Sequence, residues 1–131
     1  MWSRPMNIIG TGLDATEIAR IDEVLERYGE RFLRRVFTPG EIAYCEARRG
    51  KAASLAARFA AKEAAMKALG TGHDRGVGWR DIEVVRVDGP PAIQLHGAAA
   101  ARFDALGGRA THLTLTHTDQ LALAHVILVG H

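Results

Sequence analysis

The sequence of 131 residues contains one cysteine, Cys45, which excludes an internal disulfide and a cysteine-rich zinc site. Aromatic side chains are few, four Phe, two Trp and two Tyr, and they lie scattered. They form no stripe on which the bases of a single strand could stack. No apolar run is long enough to span a bilayer: the longest, Leu121 to Val129, is interrupted by His125. The segment from Met1 to Met6 has no apolar core of a secretory leader, so export is not expected. His73, His96, His112, His125 and His131 show no metal-ligand spacing. There are no repeats, linkers or low-complexity tracts. A protein with these absences is expected to be reduced, free of the membrane and cytoplasmic.

What is present is ordinary globular composition, with 47% hydrophobic and 24% charged residues. The length suits one domain spanning residues 1–131 with a single core. The net charge of +2 is too small for a nucleic-acid coat, but it conceals a segregation. Residues 27–67 carry ten Lys/Arg against four Asp/Glu, and the rest of the chain is acidic. Such a region is either a solvated face or a surface for an acidic partner or a phosphate.

Periodicity places helices mainly first and strands mainly later. Asn7 to Gly10 reads as a short strand entering a Gly10-Thr11-Gly12 turn. Asp14-Ala15-Thr16-Glu17 has the form of a capping box before a helix carrying Ile18, Ile21 and Tyr28. Gly29 interrupts that helix, and Thr38-Pro39-Gly40-Glu41 opens another. From Ala52 to Leu69 there is neither Gly nor Pro, and nine residues are Ala, the best helix former. Gly70-Thr71-Gly72 ends that helix. Arg80 to Val87, Ile93 to Leu95 and His112 to His117 alternate as strands, Leu121 to Val129 is the last strand, and Ala98 to Leu106 is a short helix. The sum is an α+β domain with helices packed on an antiparallel sheet.

The chemistry-bearing residues cluster on the alanine-rich helix. Arg58, Lys62 and Lys67 accompany one acid, Glu63, and Lys62 falls where the stripe Leu55, Phe59, Met66, Leu69 asks for an apolar residue. Glu63 and Lys67 stand at i,i+4, the spacing of a surface ion pair. Basic side chains here could also snorkel from the core edge. Asp14 is either an N-cap or a ligand for a hard cation. Mg²⁺ takes one or two protein carboxylates plus phosphate oxygens and water, and Asp14 with Glu63 would be such a pair.

Two segments carry a family resemblance. Gly12-Leu13-Asp14, followed by Arg20-Ile21, is similar to the opening motif of the holo-acyl-carrier-protein synthase family. Arg58-Phe59-Ala60-Ala61-Lys62-Glu63-Ala64-Ala65-Met66-Lys67-Ala68-Leu69-Gly70-Thr71-Gly72 resembles its second, longer and more specific motif. Trp79 to Val84, Leu115 to Thr118 and Leu121 to Ala124 resemble its later segments in the same order. The resemblance implies a 4′-phosphopantetheinyl transferase that moves phosphopantetheine from coenzyme A to a serine of apo-acyl carrier protein, in support of fatty acid biosynthesis. It implies Asp14 and Glu63 as Mg²⁺ ligands and, with Lys67, as the catalytic group. It places Arg58, Lys62, Lys67, Gly70, Thr71, Gly72 and His117 near coenzyme A. Arg20 and Arg27 match basic positions used against the acidic carrier. Glu30 stands where some members have an arginine, with Arg31, Arg34 and Arg35 nearby. Members of the family are typically homotrimers.

Two other readings remain open at this point. One is a small basic nucleic-acid-binding module using Arg31 to Arg35 and Arg48 to Lys51. The other is an inactive carrier-binding subunit, against which the retained Asp14, Glu63 and Lys67 argue.

Overall fold

The computed structural model describes residues 5–86 and 88–131. A long strand, β1 (Asn7–Glu17), leads into four helices: α1 (Ile18–Tyr28), α2 (Glu30–Val36), α3 (Pro39–Glu46) and α4 (Lys51–Leu69). A 3-10 turn (Trp79–Asp81) precedes β2 (Ile82–Val85) and β3 (Ala92–Leu95). The chain closes with α5 (Gly97–Ala105), β4 (Gly108–His117) and β5 (Leu121–Gly130). Helices packed against antiparallel sheets make the α+β class expected from the sequence. The strand expected over Arg80 to Val87 is shorter, because Trp79 to Asp81 coil into the 3-10 turn; Val87 lies outside the described residues.

β5 is the centre of a three-stranded sheet in the order β1-β5-β4, antiparallel throughout. β2 and β3 form a separate antiparallel hairpin. Alternation along β5 sends Ala122, Ala124, Val126 and Leu128 to the buried face. They meet α4, whose Ala60, Ala61, Ala64 and Ala65 are also buried. Small residues on both surfaces let helix and sheet approach closely. Larger side chains fill the space on either side. Leu55, Met66, Leu69 and Phe37 are all essentially fully buried, each worth roughly 1.5–3 kcal/mol of apolar transfer.

The first strand differs from its sequence reading. Gly10-Thr11-Gly12 is not a turn: β1 continues through it, paired with β5 as far as Glu17. The glycines serve closeness rather than bending. A Cβ at Gly12 would fall inside the carbonyl oxygen of Ala64, and one at Gly10 inside that of Ala68. Asp14 is therefore no N-cap. It lies within the strand opposite Ala124, and α1 begins at Ile18 without a side-chain cap.

The other end signals act as read. Thr38 and Glu41 form a reciprocal capping box at α3, with Glu41 N–H donating to Thr38 Oγ1 at 3.2 Å and Thr38 N–H donating to Glu41 Oε1 at 3.0 Å. α4 ends at Gly70, which takes the left-handed conformation (φ 72°, ψ 21°) that a side chain disfavours. Arg102 of α5 donates from Nε to the Leu69 carbonyl at 3.0 Å, satisfying one of the orphan acceptors of that helix end.

Candidate active site

The four charged residues that the sequence clusters on α4 separate in space into three environments. Glu63 and Lys67, one turn apart, share a face. That face looks along β1, because Ala64 and Ala68 touch Gly12 and Gly10. Lys67 does not pair with Glu63. Its ammonium donates to Asp14 Oδ1 at 3.1 Å and to the Leu13 carbonyl at 3.0 Å. Asp14 is on the helix side of β1, with its side chain 18% exposed, and its second oxygen has only a long contact of 3.4 Å from the Thr16 hydroxyl. Among the described residues Glu63 makes no ion pair. Two carboxylates and one ammonium thus border the line where β1 crosses α4.

This donor set suits a hard divalent cation. It consists of carboxylate oxygen only, and Asp14 Oδ2 retains acceptor capacity. Among the described residues no three His, Cys, Asp or Glu side chains group as a metal cage. Mg²⁺ does not need one, since it keeps water and phosphate oxygens in its shell.

Lys62 occupies the second environment. Its side chain is 0% exposed. It donates to Glu41 Oε1 at 2.7 Å, to the Trp79 carbonyl at 3.1 Å and to the Ile82 carbonyl. These use all three donors of the ammonium. Glu41, also fully buried, accepts in addition from the backbone N–H groups of Thr38 and Val84. Burial pushes Lys62 below the usual lysine range, and the Glu41 carboxylate opposes that shift. The expectation that Lys62 contacts a cofactor is corrected here: the ammonium has no free donor and no path to solvent. It joins α3, α4 and the start of β2 from within.

Arg58 defines the third. It is buried, 4% exposed, at the wall of a cavity of about 300 Å³. Arg48, Arg49, Arg86 and His117 also line this cavity, and among the described residues no carboxylate does. The Arg58 guanidinium lies against the Tyr44 ring, 4.1 Å from its centroid, and that of Arg48 lies 4.4 Å away. Arg58 Nη1 makes a long contact of 3.5 Å to the Ser54 carbonyl, and Nε has no partner. A buried cation with unmade hydrogen bonds and no counter-charge is expensive. An anion entering the cavity removes that expense.

The cavity and the carboxylates are connected through the sheet. Leu115, which lines the cavity, and Asp14 flank Ala124 from opposite sides in one row of paired residues. Two strand spacings separate them, about 10 Å.

The remaining candidates lie elsewhere. Gly70 and Gly72 are exposed and Thr71 is buried, with its hydroxyl turned to the Gly72 carbonyl; none lines the basic cavity. Left-handed φ values of 72° and 52° account for both glycines without a ligand. Arg20 and Arg27 are exposed on α1. Arg27 lies in a surface depression among Glu23, Glu26 and Tyr28. Glu30 pairs with Arg34 at 2.8 Å. Arg31 and Arg35 instead border an acid-free depression floored by Val24, Tyr28 and Phe32.

Sequence reasoning missed Tyr44 and Arg86 and gave Arg48 and Arg49 only to the nucleic-acid alternative. The local charge excess was a signal for the two arginines. Nothing in the sequence pointed to Arg86, which the exit from β2 brings to the cavity.

Comparison with known proteins places the chain in a family. The profile of the 4′-phosphopantetheinyl transferase superfamily matches residues 10–122. The holo-acyl-carrier-protein synthase of Solibacter usitatus is 52% identical over 122 residues, covering 92% of this chain and 98% of that protein. The crystal structure of the holo-acyl-carrier-protein synthase from Neisseria meningitidis superposes with a TM-score of 0.86 at 30% identity, covering 93% of this chain and 98% of the other. That of the Helicobacter pylori synthase in complex with coenzyme A gives 0.79 at 29% identity, covering 90% and 98%. With the family profile matched over residues 10–122 and half the residues shared with the Solibacter usitatus synthase, the chain belongs to the 4′-phosphopantetheinyl transferase superfamily.

Proposed function

We propose that this protein transfers 4′-phosphopantetheine from coenzyme A to a serine hydroxyl of an apo-acyl carrier protein, releasing adenosine 3′,5′-bisphosphate. The observation that carries the reading is the pairing of a carboxylate–ammonium group at the β1–α4 crossing with an acid-free arginine cavity about 10 Å away across the sheet. Attack of the serine hydroxyl on the pyrophosphate breaks its phosphoanhydride bond and forms a phosphodiester, which needs a positioned nucleophile and donors for developing charge. Coenzyme A carries a pyrophosphate next to the transferred group and a separate phosphate monoester on its ribose. Two anion-handling regions match those two ends.

Asp14 and Glu63 would hold Mg²⁺, which supplies charge neutralisation on the pyrophosphate when bound. Lys67 adds a fixed positive charge at the same place, tethered by the Leu13 carbonyl. Glu63 is positioned to accept the serine proton, directly or through a water. Arg58, Arg48, Arg49, Arg86 and His117 receive the monoester end.

The carrier docks on α1 and α2. Arg20 and Arg27 contribute, and the Arg31–Arg35 depression offers an apolar floor with an uncompensated basic rim, the complement of an acidic amphipathic helix. The outer face of the three-stranded sheet exposes Ile8 (65%), Leu13 (61%) and Leu121 (36%). A homotrimer that covers this face belongs to the same reading. So does service to fatty acid biosynthesis in the cytoplasm. Among the described residues no helix is long and apolar enough to cross a membrane.

The nucleotide product tests the reading. With apo-carrier, coenzyme A and Mg²⁺, one adenosine 3′,5′-bisphosphate should appear per carrier. A carrier whose acceptor serine is replaced by alanine should give none. Release that ignores the serine would make the protein a coenzyme A hydrolase instead.

A further inference from the structure

Within the basic cavity one uncharged residue stands out because two of the arginines lie against its ring. Tyr44 lies near the end of α3, half-buried, and its ring takes the guanidinium of Arg48 at 4.4 Å and that of Arg58 at 4.1 Å. Arg48 follows α3, whereas Arg58 comes from the second turn of α4. The ring therefore gathers two cations from different segments at one cavity wall.

The choice of an aromatic partner has a chemical consequence. A carboxylate would fix an arginine by accepting from its in-plane N–H groups, and would then compete with any anionic ligand. An aromatic face attracts the flat face of the guanidinium and leaves those N–H groups free. Arg58 fits the second case. Among the described residues its Nε is buried without a partner, Nη1 makes only the long contact to Ser54, and no carboxylate lines the cavity.

We propose that Tyr44 is a positioning residue for coenzyme A: its ring holds Arg58 and Arg48 at the cavity with their N–H donors directed to a phosphate monoester. The proposal rests on the assignment of this cavity to the monoester end of coenzyme A. Tyr44 touches neither the reacting phosphorus nor the β1–α4 carboxylates on this account. Its removal should therefore weaken binding of one end of the co-substrate without slowing the chemical step.

The test is steady-state kinetics at saturating carrier, with coenzyme A and 3′-dephospho-coenzyme A compared on four proteins: the parent, Tyr44→Phe, Tyr44→Leu and Tyr44→Met. The parent should show a lower KM for coenzyme A than for the dephospho compound. Tyr44→Leu should raise KM for coenzyme A by about tenfold, leave kcat within about twofold and leave KM for the dephospho compound unchanged. Tyr44→Phe keeps the ring and should behave as the parent. Tyr44→Met offers a flexible, adaptable side chain without a π face and stands in should the leucine variant fail to fold. Discrimination that survives in Tyr44→Leu or Tyr44→Met overturns the role of the ring. So does an equal rise in KM for both compounds. A parent that does not discriminate at all refutes the cavity assignment and the proposal with it.

Discussion

Lys67 of α4 places its ammonium 3.1 Å from Asp14 Oδ1, joining residues 53 positions apart. Asp14 lies on the helix side of β1, and Lys67 stands one helical turn from Glu63 on α4. The ammonium bonds Oδ1 and leaves Oδ2 to a divalent cation, but its positive charge competes with that cation for the charge of the same carboxylate.

That competition has a measurable consequence. Lys67→Ala should bind Mg²⁺ several-fold more tightly by calorimetry, while turnover falls by about a hundredfold for want of the fixed charge. Unchanged metal affinity and unchanged turnover would show that the pair is an ordinary surface contact.

The approach of β1 to α4 sets that geometry. Gly12→Ala would drive a methyl group into the Ala64 carbonyl, and backbone must move to admit it. The expected loss is about 1–3 kcal/mol of stability by urea unfolding, with lowered activity because Asp14 shifts with its strand. An alanine variant as stable and active as the parent would contradict the tight crossing.

Lys62 separates a structural from a ligand-binding role. Lys62→Met leaves the Glu41 carboxylate buried and unpaired, so unfolding free energy should drop by about 3–5 kcal/mol. Adding Glu41→Gln, which removes the unpaired charge and keeps an acceptor for one of the Thr38 and Val84 N–H groups, should restore part of it. A Lys62→Met protein with normal stability and a raised KM for coenzyme A would return Lys62 to the cofactor site.

The α3 start predicts an acid-side pH dependence. Glu83 accepts from the Thr38 hydroxyl at 2.7 Å and lies 2.9 Å from His96 Nε2. The Thr38 hydrogen bond, with His96 adding to it, holds the Glu83 carboxyl below its ordinary value of 4.5. A group whose folded-state pKa is depressed stabilises above its unfolded value and loses that contribution as pH falls through the folded one. Stability of the parent relative to Glu83→Gln should therefore shrink on going from pH 6 to pH 3, which lies about 1.5 units on either side of that value. A difference that grows toward low pH would reverse the assignment.

The sequence carried the architecture wherever local chemistry decides it. The Thr38–Glu41 capping box, the Gly70 stop and the last strand, β5, all act as their residues suggest. It failed at Gly10-Thr11-Gly12 and Asp14. Glycine there answers to a helix more than fifty residues away, and strand pairing with β5 overrides a local capping pattern. Lys62 misled for a related reason. A lysine in an apolar stripe reads as snorkelling until its partner is known, and Glu41 had already been assigned to a cap. Arg58 and His117 do share a cavity, but Tyr44, which sets the arginine, carries no charge to draw attention.

The most direct measurement is the intact mass of an apo-acyl carrier protein after incubation with coenzyme A and this protein, with Mg²⁺ or with a chelator. The account predicts the gain of one phosphopantetheine on the acceptor serine, only with Mg²⁺. The gain should be lost in Glu63→Gln, whose unfolding midpoint stays close to that of the parent. Full modification by Glu63→Gln, or by the parent in chelator, would contradict the role given to the carboxylates at the β1–α4 crossing.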